Sequence, residues 1–209
     1  MIEIETPSGP ARVHVHEVDD ASAALVLGHG AGGGVNAPDL VAATKAAREA
    51  GLTVALVEQP YRVAGRRSPP RAPVLDAAWT AVVEELAAGP LSGLPLITGG
   101  RSSGARVACR TAEATGAVGV LCLAFPLVPP ARKGSVPSLA GSRQPELDAV
   151  RVPVLVVQGE RDRFGMPEPA GDRDVVVVAG DHGLKSDLPA VTAAVAEWLP
   201  RVTPARSAR

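Results

Sequence analysis

The residues with the plainest chemical potential are Gly100, Ser102 and Gly104. They form a Gly-x-Ser-x-Gly pattern within Leu96-Ile97-Thr98-Gly99-Gly100-Arg101-Ser102-Ser103-Gly104-Ala105-Arg106. A short apolar run leads into the glycines, and a helix-compatible stretch begins near Ser103. A sharp strand-to-helix turn of this kind presents the serine hydroxyl as a nucleophile. The glycines have a steric reason. The turn strains the serine backbone, and a side chain two positions before or after it would collide with the neighbouring strand and helix. The helix start behind Ser102 also aims unpaired N–H groups at whatever the serine attacks. In a glycine-rich chain the pattern can arise by chance, so an ordinary loop between strand and helix is the competing reading.

An activated serine needs a base to take its proton and an acid to hold that base in one tautomer. After Ser102 the chain has one histidine, His182, within Gly180-Asp181-His182-Gly183. The candidate acid is Asp162, in Gln158-Gly159-Glu160-Arg161-Asp162, with Glu160 as a weaker alternative. Asp181 adjoins the histidine too closely to reach the same imidazole easily and is expected to bond the local backbone. No carboxylate stands between Phe125 and Glu146, which disfavours an acid in that stretch. Taken singly, His182 is a turn histidine and Asp162 a loop carboxylate. Their order after Ser102, each following a separate apolar run, favours nucleophile, acid and base.

A second glycine-rich break, Gly28-His29-Gly30-Ala31-Gly32-Gly33-Gly34, follows the apolar run Ala23 to Leu27. It lacks the Gly-Lys-Ser/Thr ending of a phosphate-binding loop. It also lacks the acidic residue that a dinucleotide site places after the next strand, where Glu58 and Gln59 precede a proline. A His-Gly-x-Gly turn suits half of an oxyanion hole. The expected donors are the N–H of Ala31 or Gly32 together with that of Ser103. Arg62, Arg66, Arg67 and Arg71 lie in a basic, proline-rich loop, and Arg101 adjoins Ser102. Arginines there could grip a substrate carboxylate or phosphate with paired hydrogen bonds. The alternative is that they are solvated or pair with Glu58, Glu160 and Asp162; Arg101 could also point into the scaffold and buttress a neighbouring loop. His14 and His16 have no ligating partner nearby and read as solvent-facing strand residues. Cys109 and Cys122 read as core thiols rather than a disulfide or a metal pair. No metal and no cofactor is expected.

The elements that must position these groups follow from periodicity. Runs 2–6 and 11–18 alternate around Thr6-Pro7-Ser8-Gly9-Pro10 and predict a hairpin. Further strands are expected over 23–27, 52–57, 96 to the elbow, 118–124, 152–157 and 174–179. Helices are expected over 38–50, 74–88, 103–114 and 188–199. Alternation of strand and helix at this spacing predicts a doubly wound, mainly parallel sheet of eight strands with helices on both faces. Ligands of such sheets sit at the carboxyl ends of the strands, where the glycine-rich and polar breaks fall. The stretch 126–144 has little periodicity and reads as a loop or reduced lid, too short for a cap domain. One domain over 1–202 and a frayed tail over 203–209 are expected.

Composition narrows the partners. The chain has 209 residues and a net charge of −1, with no general attraction to nucleic acid or membrane implied. Two Trp, one Tyr and two Phe leave little for base-stacking or sugar platforms. No signal peptide is visible after Met1, and the apolar run near Val118 to Val128 is too short to span a membrane. A cytoplasmic monomer or homodimer acting on a small molecule is expected.

With these residues in view, the chain resembles the α/β-hydrolase superfamily, in particular its small dienelactone-hydrolase-like members without a cap. Gly28-His29-Gly30-Ala31-Gly32, Tyr61-Arg62-Val63-Ala64-Gly65-Arg66-Arg67, Gly99-Gly100-Arg101-Ser102 and Gly180-Asp181-His182 are similar to the KANL/Tex-type group. The resemblance implies the α/β-hydrolase fold, with Ser102 as nucleophile, Asp162 as acid and His182 as base. Dienelactone hydrolases proper use a cysteine where this chain has Ser102, so their substrate does not carry over. The expected activity is cleavage of a small ester, thioester or related acyl substrate through an acyl-enzyme. A binding or scaffold protein that keeps the fold without catalysis is the alternative.

Overall fold

Every residue of β3 (Ala23–Gly28) is buried, and its side chains divide between two cores. Leu25 and Leu27 pack with the helices α1 (Pro38–Glu49) and α6 (Leu188–Val202) on one face. Ala24 and Val26 pack with Trp79, Val82, Val83 and Leu86 of α3 (Ala72–Ala88) on the other. This is the period-two alternation of a strand covered on both sides. The computed structural model describes residues 1–129 and 141–203.

The remaining strands are β1 (Ile2–Ile4), β2 (Ala11–His16), β4 (Leu52–Glu58), β5 (Leu96–Arg101), β6 (Gly119–Leu123), β7 (Val154–Gly159) and β8 (Arg173–Val178). The described residues form one eight-stranded sheet in the order β1-β2-β4-β3-β5-β6-β7-β8. β1 and β2 form the expected hairpin, with Ile2 opposite Val13 and Ile4 opposite Ala11. β2 is antiparallel to β4, and all later pairings are parallel. The α/β-hydrolase fold expected from the sequence, with helices on both faces and, among the described residues, no cap domain, is the fold observed.

Several boundaries shift for local reasons. β7 begins at Val154 rather than 152, because Pro153 has no N–H for the ladder. α3 starts two residues early, at Ala72, with Pro73 in its first turn. Two short helices were not foreseen: α2 (Pro60–Val63) inside the basic loop and α5 (Gln144–Asp148). Both carry a proline in the first two positions, as do α1, α3 and α6. Proline is pre-organised there and gives up an N–H that has no helical partner. Most of the expected lid stretch, residues 130–140, lies outside the described residues, as does the tail from 204.

The helix behind the elbow, α4 (Ser103–Thr111), is tied down by charge as well as by packing. Arg110 grips Asp76 of α3 with two bonds of 2.6 and 2.8 Å. Arg106 and Arg110 also meet at Glu146 of α5. Cys109 and Cys122 are free, buried thiols with sulfurs 3.5 Å apart.

Candidate active site

Ser102 joins β5 to α4 with φ 52° and ψ −106°, a left-handed backbone that a non-glycine residue adopts only when its surroundings enforce it. Its N–H donates to the Leu123 carbonyl of β6 at 2.9 Å. The two flanking glycines make room for the carboxyl end of β3. A Cβ on either Gly100 or Gly104 would fall 2.4 Å from the Gly28 carbonyl oxygen. The elbow therefore nests against β3 backbone to backbone, and the steric reading of the motif holds.

Ser102 Oγ lies 2.9 Å from His182 Nε2, and His182 Nδ1 lies 2.7 Å from Asp162 Oδ2. A carboxylate can only accept, so Nδ1 carries the ring proton and Nε2 is left to accept from the serine hydroxyl. The Asp162 carboxylate is 0 % exposed as a side chain. It receives two further bonds, from the Phe164 N–H to Oδ1 at 2.9 Å and from the Gln158 amide to Oδ2 at 2.9 Å. The Phe164 ring packs edge-on against the imidazole, with centroids 4.5 Å apart. The three residues expected from the sequence thus form one hydrogen-bonded chain across the ends of β5, β7 and β8. Glu160 instead pairs with Arg161 on the surface. Asp181 accepts from the Gly183 N–H at 2.8 Å, the local backbone bond anticipated for it.

Across the elbow lies the β3 loop. A Cβ at Gly30 would come within 3.7 Å of Ser102 Cβ. The Gly30 carbonyl accepts from Gly33 N–H at 3.1 Å and lies 2.8 Å from His29 Nδ1. His29 Nε2 accepts from Gln59 N–H at 3.1 Å, so the ring is neutral with its proton on Nδ1. Burial pushes the His29 imidazole below its ordinary range, and the Gly30 carbonyl pulls partly against that. The next carbonyl, of Ala31, accepts from the Tyr61 hydroxyl at 2.7 Å. In a trans peptide the N–H points opposite to the C=O. Anchoring the Gly30 and Ala31 carbonyls therefore fixes the directions of the Ala31 and Gly32 N–H groups. Burial raises the Tyr61 phenol to about 12, so it stays a donor.

The arginines separate into two groups. Arg101 turns inward: its Nε lies 2.8 Å from Asp39 Oδ2, and its Nη2 donates to the His182 carbonyl at 2.8 Å. That guanidinium is engaged inside the protein rather than offered to a substrate, and its partner is Asp39, not Glu58, Glu160 or Asp162. Arg62 donates to the Arg66 carbonyl at 3.2 Å and closes its own loop. Arg66, Arg67 and Arg71 are exposed, and among the described residues none of them pairs with a carboxylate. His14 lies 3.7 Å from Glu58 on the sheet surface. Among the described residues no group of three or more His, Cys, Asp or Glu is placed to hold a metal, and no helix is long and apolar enough to cross a membrane.

The sequence does not single out Gln158, Tyr61 or Asp39 of this site, and His29 enters there only as part of the His-Gly-x-Gly turn. Each acts by holding another group. A buried polar residue within an apolar run, as Gln158 is at the end of β7, is a signal that could have found Gln158.

Comparison with known proteins bears on the fold that carries this geometry. The family model described as alpha/beta hydrolase domain matches residues 21–188. No curated protein matches the sequence. Among solved structures, a lidless α/β serine hydrolase from Xanthomonas campestris superposes with a TM-score of 0.76 at 20 % identity, over 99 % of this chain and 95 % of that one. Est1E from Butyrivibrio proteoclasticus, solved with ferulic acid bound, gives 0.76 at 15 % identity over 97 % and 99 %. Dienelactone hydrolase from Anabaena variabilis gives 0.74 at 15 % identity over 97 % of each chain. Identities this low establish a shared fold, and the family match extends that to lineage: the chain belongs to the alpha/beta hydrolase domain family.

Proposed function

We propose that the protein is a serine hydrolase that cleaves a small ester, thioester or related acyl substrate through an acyl-enzyme. The observation that carries this reading is the continuous chain Ser102 Oγ, His182 Nε2, His182 Nδ1, Asp162 Oδ2, with links of 2.9 and 2.7 Å. Ser102 Oγ attacks the acyl carbon while its proton passes to His182 Nε2. The imidazolium so formed is stabilised by Asp162. The negative charge on the former carbonyl oxygen is held by the Ser103 N–H and that of Ala31 or Gly32. Each such donor typically supplies about 2.7–4 kcal/mol of transition-state stabilisation. Collapse expels the leaving group, which takes the proton from Nε2. A water molecule then repeats the sequence on the acyl-enzyme and releases the acid.

The substrate is read as small because the expected lid stretch has few apolar positions from which to build a tunnel for a long chain. The test is labelling with a fluorophosphonate, followed by turnover of p-nitrophenyl esters from C2 to C12. The wild-type protein should label and prefer the C2 or C4 ester. Ser102→Ala should abolish labelling and lower turnover by a factor on the order of 10⁶. A folded wild-type protein that neither labels nor turns over any ester favours the non-catalytic binding or scaffold alternative.

A further inference from the structure

We propose that Arg101 is a positioning residue that holds His182 over Ser102 from its main-chain side, with Asp39 as its buried anchor. The inference rests on the serine-hydrolase reading above and names a support for its base.

Arg101 is the last residue of β5, so its backbone is continuous with the elbow. Its side chain is 18 % exposed and bridges helix α1 and the His182 loop. One side meets Asp39, in the first turn of α1, whose carboxylate is 0 % exposed and also accepts from Leu40 N–H at 3.0 Å. The other side donates to the His182 carbonyl. The guanidinium further abuts the β3 loop, since a Cβ at Gly30 would fall 2.9 Å from Nη1. One rigid, planar cation thus touches the segments carrying the nucleophile, the oxyanion donors and the base. Lysine, a point charge, cannot keep both the Asp39 and the His182 contacts in that geometry.

The base loop has reason to need such a hold. It runs from Gly180, whose φ of 123° glycine adopts without strain, to Leu184 at φ 49°, a left-handed backbone that is costly for a residue with a Cβ. Strained segments persist only where their surroundings over-determine them. Asp162 and Phe164 fix the imidazole ring, and Leu184 is fully buried. The Arg101 bond reaches the His182 backbone itself. Loss of that bond frees the main chain to carry Nε2 away from Ser102, and a displacement of about 1 Å can lower turnover on the order of 10²-fold. Burial raises the Asp39 carboxyl above its ordinary range, and the Arg101 charge is the main influence pulling it back. The anchor and the clamp therefore depend on each other.

The test compares wild type, Asp39→Asn, Arg101→Met and the double variant Asp39→Asn/Arg101→Met. The double variant leaves no buried carboxylate without its cation and so protects the measurement against simple misfolding. Turnover of a neutral p-nitrophenyl ester should fall 10-fold or more in both Arg101 variants with KM within about twofold, and Arg101→Lys should recover only part of it. A crystal structure of the double variant should show the His182–Ser102 separation, now 2.9 Å, lengthened beyond hydrogen-bond reach. The structural readout stands even if no ester proves to be a substrate, so it separates this inference from the assignment of function. An unmoved His182 in the double variant, or unchanged kcat in a folded Arg101→Met protein, overturns the proposal.

Discussion

The Gln158 side-chain amide lies 2.9 Å from Asp162 Oδ2, the same oxygen that faces His182 Nδ1 at 2.7 Å. Gln158 is fully buried, and its amide also reaches the carbonyls of Phe125 at 3.1 Å and Gly165 at 2.9 Å. A single –NH₂ thus links the end of β6, the end of β7 and the loop that carries the proposed acid. An ionised carboxylate buried among apolar groups is tenable only when donors surround it. Gln158, Phe164 N–H and His182 supply three.

Gln158→Leu keeps the approximate volume and removes the donor. The expected result is a lower kcat, because Asp162 loses one of the bonds that aim it at the imidazole. Stability should fall by roughly 1–3 kcal/mol, the usual consequence of leaving buried acceptors unpaired. Ester kinetics and urea denaturation on the same preparation measure both. Unchanged kcat would show that the Phe164 and His182 bonds hold the carboxylate without help.

The elbow glycines make a sharper structural test. A Cβ at Gly104 meets only backbone: the Gly28 carbonyl oxygen at 2.4 Å, its carbon at 2.6 Å and the His29 carbonyl oxygen at 2.9 Å. No flexible side chain is there to yield. Gly104→Ala should therefore destabilise by about 3 kcal/mol, the upper part of the usual overpacking range, and misplace Ser102 as well. Gly34→Ala, with open space around the added carbon, should be near neutral. Equal denaturation midpoints for the two variants would refute the close-approach argument.

These cases also separate what the sequence discloses from what it withholds. Strands, their order after the elbow and the trio Ser102, Asp162 and His182 were legible because each is a local pattern: an apolar run closed by a polar break. The supports were not. Asp39 sits in a helix as an ordinary first-turn acid, and only the folded register brings it to Arg101. Tyr61 looks like part of a basic loop until the unforeseen α2 turns its hydroxyl to the Ala31 carbonyl. His29 could be read as part of a glycine-rich turn, but its bond to Gln59 crosses from the β3 loop to the end of β4. Contacts made between loops on neighbouring strands leave no periodic trace in the chain.

His29 gives the protein a pH-dependent stability whose sign follows from its burial. The folded state holds the imidazole below its ordinary value of 6.5, through burial first and the nearby Arg62 charge in addition. The unfolded chain binds the proton as pH falls through about 6.5, while the folded chain resists until lower pH. Stability is therefore lost as pH falls from 7 toward 5, at no more than about 1.4 kcal/mol per pH unit for one proton. Asp39, raised above 3.8, has the opposite sign and gains stability as pH falls. A comparison with His29→Gln cancels that background. The variant should be less stable at pH 7.5 and show a shallower loss of melting temperature between pH 7 and 5. Parallel curves would remove His29 as the cause.

The last prediction concerns the exposed arginines. Arg66, Arg67 and Arg71 follow α2, whose Tyr61 touches the proposed oxyanion loop, and among the described residues no carboxylate pairs with them. Three uncompensated cations near the carboxyl ends of β3 and β4 should favour a substrate that carries a negative charge beside its acyl group. Arg101 is already committed to Asp39, so the preference must come from the loop. An anionic ester should then show a higher kcat/KM than its neutral isostere, with an advantage that shrinks between about 0.05 and 0.5 M salt as screening shortens the reach of exposed charges. Arg66→Ala or Arg67→Ala should raise KM for the anionic ester and leave the neutral one unchanged. Because these side chains are solvated, each replacement should act by no more than about fivefold and have little effect on stability. Equal kinetics on the two esters, insensitive to salt, would assign the loop to solubility alone.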